Sequence, residues 1–204
     1  NMSTQSKLKY SLYSLALALA IGGVIIWFTG ANPFETYKAV VTGSLGSTAN
    51  IMSMFAYTTP LILTGLGAVV AFQGGVFNIG GEGQLLMGGL MAVITGLYID
   101  LPAPWPLLLA LIAGFAGGAI WALIPTLMVG KNLSALFVGT VMMNSIGALF
   151  SEYLVKYHFL RPNASTTETP NVLNAAILPR FNPNTQMNYG IFIALALVFV
   201  VAWL

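Results

Sequence analysis

The chain has 204 residues, 57% of them hydrophobic and 6% charged, with a mean hydropathy of +0.86. That is too little polar surface to cover a soluble fold, so the composition is that of an integral membrane protein. A net charge of +2 spread over scattered basic residues gives no nucleic-acid face, and the absence of cysteine excludes disulfides and thiolate metal sites.

The pattern predicts an all-α, polytopic transmembrane helical bundle of about six spans. Asn1 ahead of Met2 reads as a tag remnant. Lys7 and Lys9 precede a first apolar run, Ser11 to Thr29, whose nineteen residues at about 1.5 Å each reach roughly 29 Å. A cleaved signal peptide is the rival reading, but the run is longer than a usual signal core and Thr29-Gly30-Ala31 is a poor cleavage site. Residues 31–50, with Pro33, Glu35 and Lys38, read as an aqueous loop with one short surface helix. Ile51 to Phe72 is the second span, and Pro60 inside it predicts a kink that serves either packing or gating.

Between two apolar segments comes Gly74-Gly75-Val76-Phe77-Asn78-Ile79-Gly80-Gly81-Glu82-Gly83-Gln84, which a membrane would normally reject. Irregular backbone is tolerated at membrane depth only where protein or a water-filled cavity surrounds it. The stretch is therefore either an aqueous loop or part of a pathway. Glu82 falls in the first turn of the next helix, where the dipole favours an anion, and Asn78 is placed to cap that turn.

Glu82 to Ile99 is the third span, and Gly80, Gln84, Gly88, Ala92 and Gly96 give it one nearly smooth face. A short turn from Asp100 to Pro106 carries Trp105 near Tyr98, as in an interfacial aromatic belt. The fourth span, Pro106 to Val129, repeats the small-residue spacing at Ala110, Gly114, Gly118 and Ala122. The two faces are partners of each other or of other helices. Lys131 and Asn132 make a turn, and the fifth span, Leu133 to Val155, lines Thr140, Asn144, Ala148 and Glu152 along one face beside Ser151. That face either bonds a neighbouring helix through Asn144 or walls a cavity.

Tyr157 to Met187 reads as a long extracytoplasmic loop, and a sixth span starts at Asn188. The chain stops at Leu204 within an apolar run, so the reading is a single permease domain over 1–204, incomplete at its C-terminus. With the N-terminus inside, Lys7, Lys9 and Lys131 are cytoplasmic while Lys38, Lys156, Arg161 and Arg180 lie outside. The positive-inside count does not decide, and orientation rests on the N-terminal pair.

The octapeptide Phe77-Asn78-Ile79-Gly80-Gly81-Glu82-Gly83-Gln84 resembles that of permease subunits of ATP-binding cassette importers, in the branch with ribose and branched-chain amino acid permeases. The form is most similar to nucleoside permeases. Asn32-Pro33-Phe34, Thr59-Pro60-Leu61-Ile62-Leu63-Thr64-Gly65-Leu66 and Trp121-Ala122-Leu123-Ile124-Pro125 extend the likeness over nearly the whole chain. One departure is at Asn132-Leu133-Ser134-Ala135-Leu136-Phe137, where relatives carry a glutamate; the following Thr140-Val141-Met142-Met143-Asn144 keeps the family asparagine.

The resemblance implies a nucleoside permease of the cell membrane, with a second permease subunit, cytoplasmic ATP-binding subunits and an extracytoplasmic substrate-binding protein as partners. The loop that contacts the ATPase in relatives would follow the sixth span. A sugar or branched-chain amino acid permease, an ion-coupled secondary transporter using Glu82, and a non-transporting scaffold stay as alternatives. The expected pathway residues are Asn78, Glu82, Gln84 and Asn144, with Asn144 facing the others across a cavity. No HExxH, paired aspartates or Ser-His arrangement is present, so no catalytic residue, metal or cofactor is expected.

Overall fold

The structure is a computed structural model that describes residues 4–130, 132–183 and 185–203, without the side chains of 4–8 and 11. Asn1, Met2, the Lys7 side chain and Lys131 lie outside the described residues. Among the described residues seven α-helices follow in chain order: α1 Thr4–Phe28, α2 Pro33–Leu45, α3 Thr48–Gln73, α4 Gly81–Tyr98, α5 Trp105–Val129, α6 Leu133–His158 and α7 Gly190–Trp203. They stand where the apolar runs placed them, with ends shifted by a few residues.

Among the described residues three helices, α3, α5 and α6, are long and apolar enough to cross a membrane, or up to four spans result if α1 and α2 count as one bent pair. About six were expected, and the all-helical, multi-span character is as expected; α4, with 18 residues, carries Glu82, Gln84 and five glycines in its otherwise apolar length, and α7 is described over 14 residues.

The chain divides into two compact units, residues 1–55 and 56–204. In the first, α1 ends at Gly30, whose φ of 83° and the bonds Gly30 N–H to Trp27 C=O (3.0 Å) and Ala31 N–H to Ile26 C=O (3.3 Å) form a Schellman stop. Asn32 then caps α2 by accepting Phe34 N–H, with Pro33 at the first helical position. The two helices meet at 116°. Tyr37 fixes the bend by donating its hydroxyl to Leu19 C=O at 2.6 Å, over Gly22, where a Cβ would meet that hydroxyl at 2.8 Å.

In the second unit, α3 runs through Pro60 without interruption. Helix α4 packs on α5 along the two small-residue faces: a Cβ on Gly88 would reach Gly114 C=O at 2.7 Å, and one on Gly118 would reach Gln84 C=O at 3.2 Å. The two stripes are each other's partners, because only the absence of side chains lets the backbones approach so closely. Met87 and Leu90 of α4, Ala110 of α5, and Leu136 and Met143 of α6 are buried, whereas outward residues such as Leu127 and Met128 are about four-fifths exposed, as lipid-facing groups are. Residues 159–189 contain a 3₁₀ turn, Asn174–Ala176, an Arg161–Glu168 ion pair and an antiparallel bridge between Arg180 and Asn188. This segment is tied to the far end of α4 by Leu173 N–H to Gly96 C=O at 2.9 Å.

Candidate functional site

The glycine stretch is a break between two helices. Gly75, at φ 72°, ends α3 in a second Schellman stop, with Gly75 N–H on Phe72 C=O (3.0 Å) and Val76 N–H on Ala71 C=O (2.9 Å). Residues 76–79 are non-helical, and α4 starts after Gly80, an N-cap position with no side chain to offer. Asn78 was expected to cap the turn. Instead it lies two residues ahead of the N-cap, its Oδ1 accepting Gly80 N–H at 2.8 Å, and makes no bond to the first turn itself.

The missing cap comes from another helix. Asn144 of α6 accepts Gly83 N–H through Oδ1 at 2.9 Å and donates Nδ2 to Ile79 C=O at 2.9 Å. One turn earlier, Thr140 accepts Ile79 N–H at 3.4 Å and donates to Phe137 C=O at 2.9 Å. Trp121 of α5 donates Nε1 to Met143 C=O at 3.3 Å, closing the group from the third side. Gly83 and Gly147 make room for this: a Cβ on Gly83 would lie 2.9 Å from Met143 C=O and 2.9 Å from Trp121 Nε1.

These contacts place the break deep. Asn144 is eleven residues beyond Leu133, the start of α6, which at about 1.5 Å per residue is roughly 17 Å along a helix of roughly 39 Å. Backbone that is not helical at such a depth must be enclosed by protein or border water. Both conditions are met here in part, since α6 holds one side and a cavity opens on the other.

That cavity has a volume of about 490 Å³ and lies between α3, the break, α4 and α5, with Leu63, Thr64, Asn78, Gln84, Phe115 and Ala119 on its wall. Of the four residues named from the sequence, Asn78 and Gln84 line it and their side chains approach at 3.5 Å. Glu82 is in the first turn of α4, exposed and not on this wall. That agrees with the helical geometry, which points residues 82 and 84 about 200° apart. Asn144 does not look across the cavity; both ends of its amide are engaged by the backbone of the break. Thr140 and Trp121 were not anticipated as site residues. The signal for Thr140 was its position four residues before Asn144, and for Trp121 a lone indole donor in an otherwise apolar span.

Compared with known sequences, residues 50–204 match the family described as branched-chain amino acid transport system / permease component. The chain belongs to this permease family. It is 32% identical over 200 residues to the guanosine ABC transporter permease protein NupP of Bacillus subtilis, covering 97% of this chain and 57% of the relative. It is 28% identical over 205 residues to the nucleoside ABC transporter permease protein NupB of Lactococcus lactis, covering 96% and 56%. The glucose ABC transporter permease protein TsgB13 of Haloferax volcanii is 29% identical over 162 residues, covering 79% and 43%. The permease chain thus spans about half the length of the curated relatives it matches. No solved structure matches it. As a member of this family with several membrane-crossing helices, it is a multi-pass protein of the cell membrane.

Proposed function

We propose that the chain is the permease subunit of an ATP-binding cassette importer that carries a nucleoside inward, without catalytic chemistry of its own. The observation that carries this reading is the likeness, over nearly all of this chain and a little over half of each relative, to two permeases named for guanosine and for nucleosides. In this reading the glycine break and its cavity border the pathway, and Asn78 and Gln84 offer the amide groups that a polar solute exchanges for water. Glu82 and Asn144 hold the start of α4 beside them. The assembly contains a second permease subunit, cytoplasmic ATP-binding subunits and an extracytoplasmic binding protein, and residues 157–187 face outward.

The second reading is a sugar permease, favoured by the glucose-named relative. Uptake by the full-length protein, reconstituted with its partner subunits and binding protein, separates the two. Labelled guanosine should enter only with ATP, and unlabelled glucose should not compete. Glucose uptake without guanosine uptake would reverse the assignment, and uptake that survives ATP depletion but collapses with the ion gradient would replace it by an ion-coupled carrier.

A further inference from the structure

We propose that Phe77 is a latch: its ring ties the C-terminal end of α3 to α6, and its release lets α3 swing and widen the cavity beside α4 and α5. The latch acts on the shape of that cavity whatever solute enters it. Successive side chains of the break lie on different sides, as on extended backbone. Asn78 lines the cavity of about 490 Å³, while Phe77 lines a separate open hollow of about 500 Å³ with Leu133, Ser134, Phe137 and Val138 of α6. There Phe77 sits between two rings, stacked on Phe72 of α3 with centroids 4.9 Å apart and tilted against Phe137 of α6 at 5.9 Å. One side chain of the break thus bridges α3 and the helix that holds the start of α4.

The rest of this part of α3 is held loosely. From Ala56 to Gln73 it has no buried side chain, whereas α4 buries Met87 and Leu90. Leu63, Thr64, Gly67 and Ala68 face α4 and α5 across the cavity, and a Cβ added to Gly65 or Gly67 would meet nothing within 4 Å. Nearer the start of the stretch, a Cβ on Gly190 of α7 would stand 3.7 Å from Thr59 Cγ2. The stretch is therefore a lever that touches its neighbours toward each end and borders a void between. Backbone bonds leave its angle free: Gly75 and Val76 N–H bond back into α3, and Ile79 is bonded to α6. The three rings are each about half exposed, so they can part without opening the buried contacts around Met87 and Met143. Such a surface contact sits at the low-stability end of a fold, where local opening is frequent.

In the full-length protein assembled with its partner subunits, amide hydrogen exchange over residues 68–78 measures how often the latch opens. Phe77→Ala and Phe137→Ala should each speed exchange by about two- to tenfold, the population shift that an aromatic pair commands. The double variant should be no faster than Phe77→Ala alone, because both changes remove one contact. Phe77→Tyr should match the unaltered protein, and so should Phe199→Ala, which removes an exposed ring on α7. The chain has no cysteine, so Ala68→Cys with Ala119→Cys, on α3 and α5 at the cavity wall, reports its width. Linking by a long rigid bis-thiosulfonate, relative to a two-carbon one, should rise in the two alanine variants. Unchanged exchange in either of them, a double variant whose effect is the product of the singles, or faster exchange with an unchanged linking ratio would each overturn the latch. The last of these is the mark of local packing alone. If Phe77→Ala does not assemble, Phe72→Ala and Phe137→Ala carry the same test.

Discussion

The carboxamide of Asn144 grips the backbone around Gly83 from both sides of a helix start. Its oxygen receives the Gly83 N–H at 2.9 Å while its nitrogen donates to the Ile79 carbonyl at 2.9 Å. Only a side chain with a donor and an acceptor on one short stem does both.

Replacing Asn144 with Leu should therefore leave a donor and an acceptor unpaired inside a span. Each such group costs about 1–3 kcal/mol, partly offset where water enters from the cavity. The expected outcome is a clearly lower melting temperature in detergent and reduced uptake. Asn144→Asp keeps the acceptor for Gly83 and loses the donor to Ile79, so it should fall between wild type and Leu. Wild-type melting in both variants would show that the paired bonds do not matter.

Gly83→Ala should destabilise the α4–α6 contact more than its one added carbon suggests. The new Cβ would sit 2.9 Å from Met143 C=O and from Trp121 Nε1, and a backbone carbonyl cannot swing aside. Overpacking of this kind costs about 1–3 kcal/mol. Gly89→Ala, where a Cβ meets nothing within 4 Å, is the control; it should be neutral or stabilising by up to about 1 kcal/mol. Melting curves of the two purified variants measure the contrast.

Gly75→Ala tests the break from its other end. Gly75 stands at φ 72°, a conformation that costs a residue with a Cβ roughly 1–2 kcal/mol. Space is not the issue, since nothing lies within 4 Å of the added carbon. The variant should lose stability without losing partner association, read by melting and by co-purification of the complex.

Sidedness is tested by labelling. With residues 157–187 outside, a single cysteine from Ser165→Cys should react with a membrane-impermeant thiol reagent in intact cells. Labelling that appears only after lysis would invert the topology.

Helix positions were legible because apolar runs bounded by Gly, Pro and Asn leave little choice, as at Asn132, which caps α6 by accepting Ala135 N–H. That the α4 and α5 stripes meet a close neighbour was legible as well, since small residues every four positions mark close approach, whereas their pairing with each other was left open. The partner of Asn144 was not. A polar face says that a side chain avoids lipid, but whether it meets solute, water or backbone depends on which helix lies opposite, and periodicity carries no information on that. The placement of the start of α4 was not legible for a related reason: a run such as Glu82 to Ile99 looks continuous in sequence, yet its polar first turn lies beside the middle of α6.

The bonds at the two ends of α4 also limit how it can move. Asn144 fastens its first turn to α6, where Trp121 of α5 bonds the neighbouring Met143 carbonyl, and Leu173 fastens Gly96 to the segment beyond α6. Any rearrangement that keeps these bonds carries α4 and α6 as one rigid body. The bending then falls on residues 76–78 of the short non-helical stretch between α3 and α4, since Ile79 is itself bonded to Thr140 and Asn144; Asn78 rides on the hinge while Gln84 stays with the body. A change of angle at that joint would part the two amides on the cavity wall, now 3.5 Å from each other, and so couple the movement of a whole helix pair to the shape of the cavity.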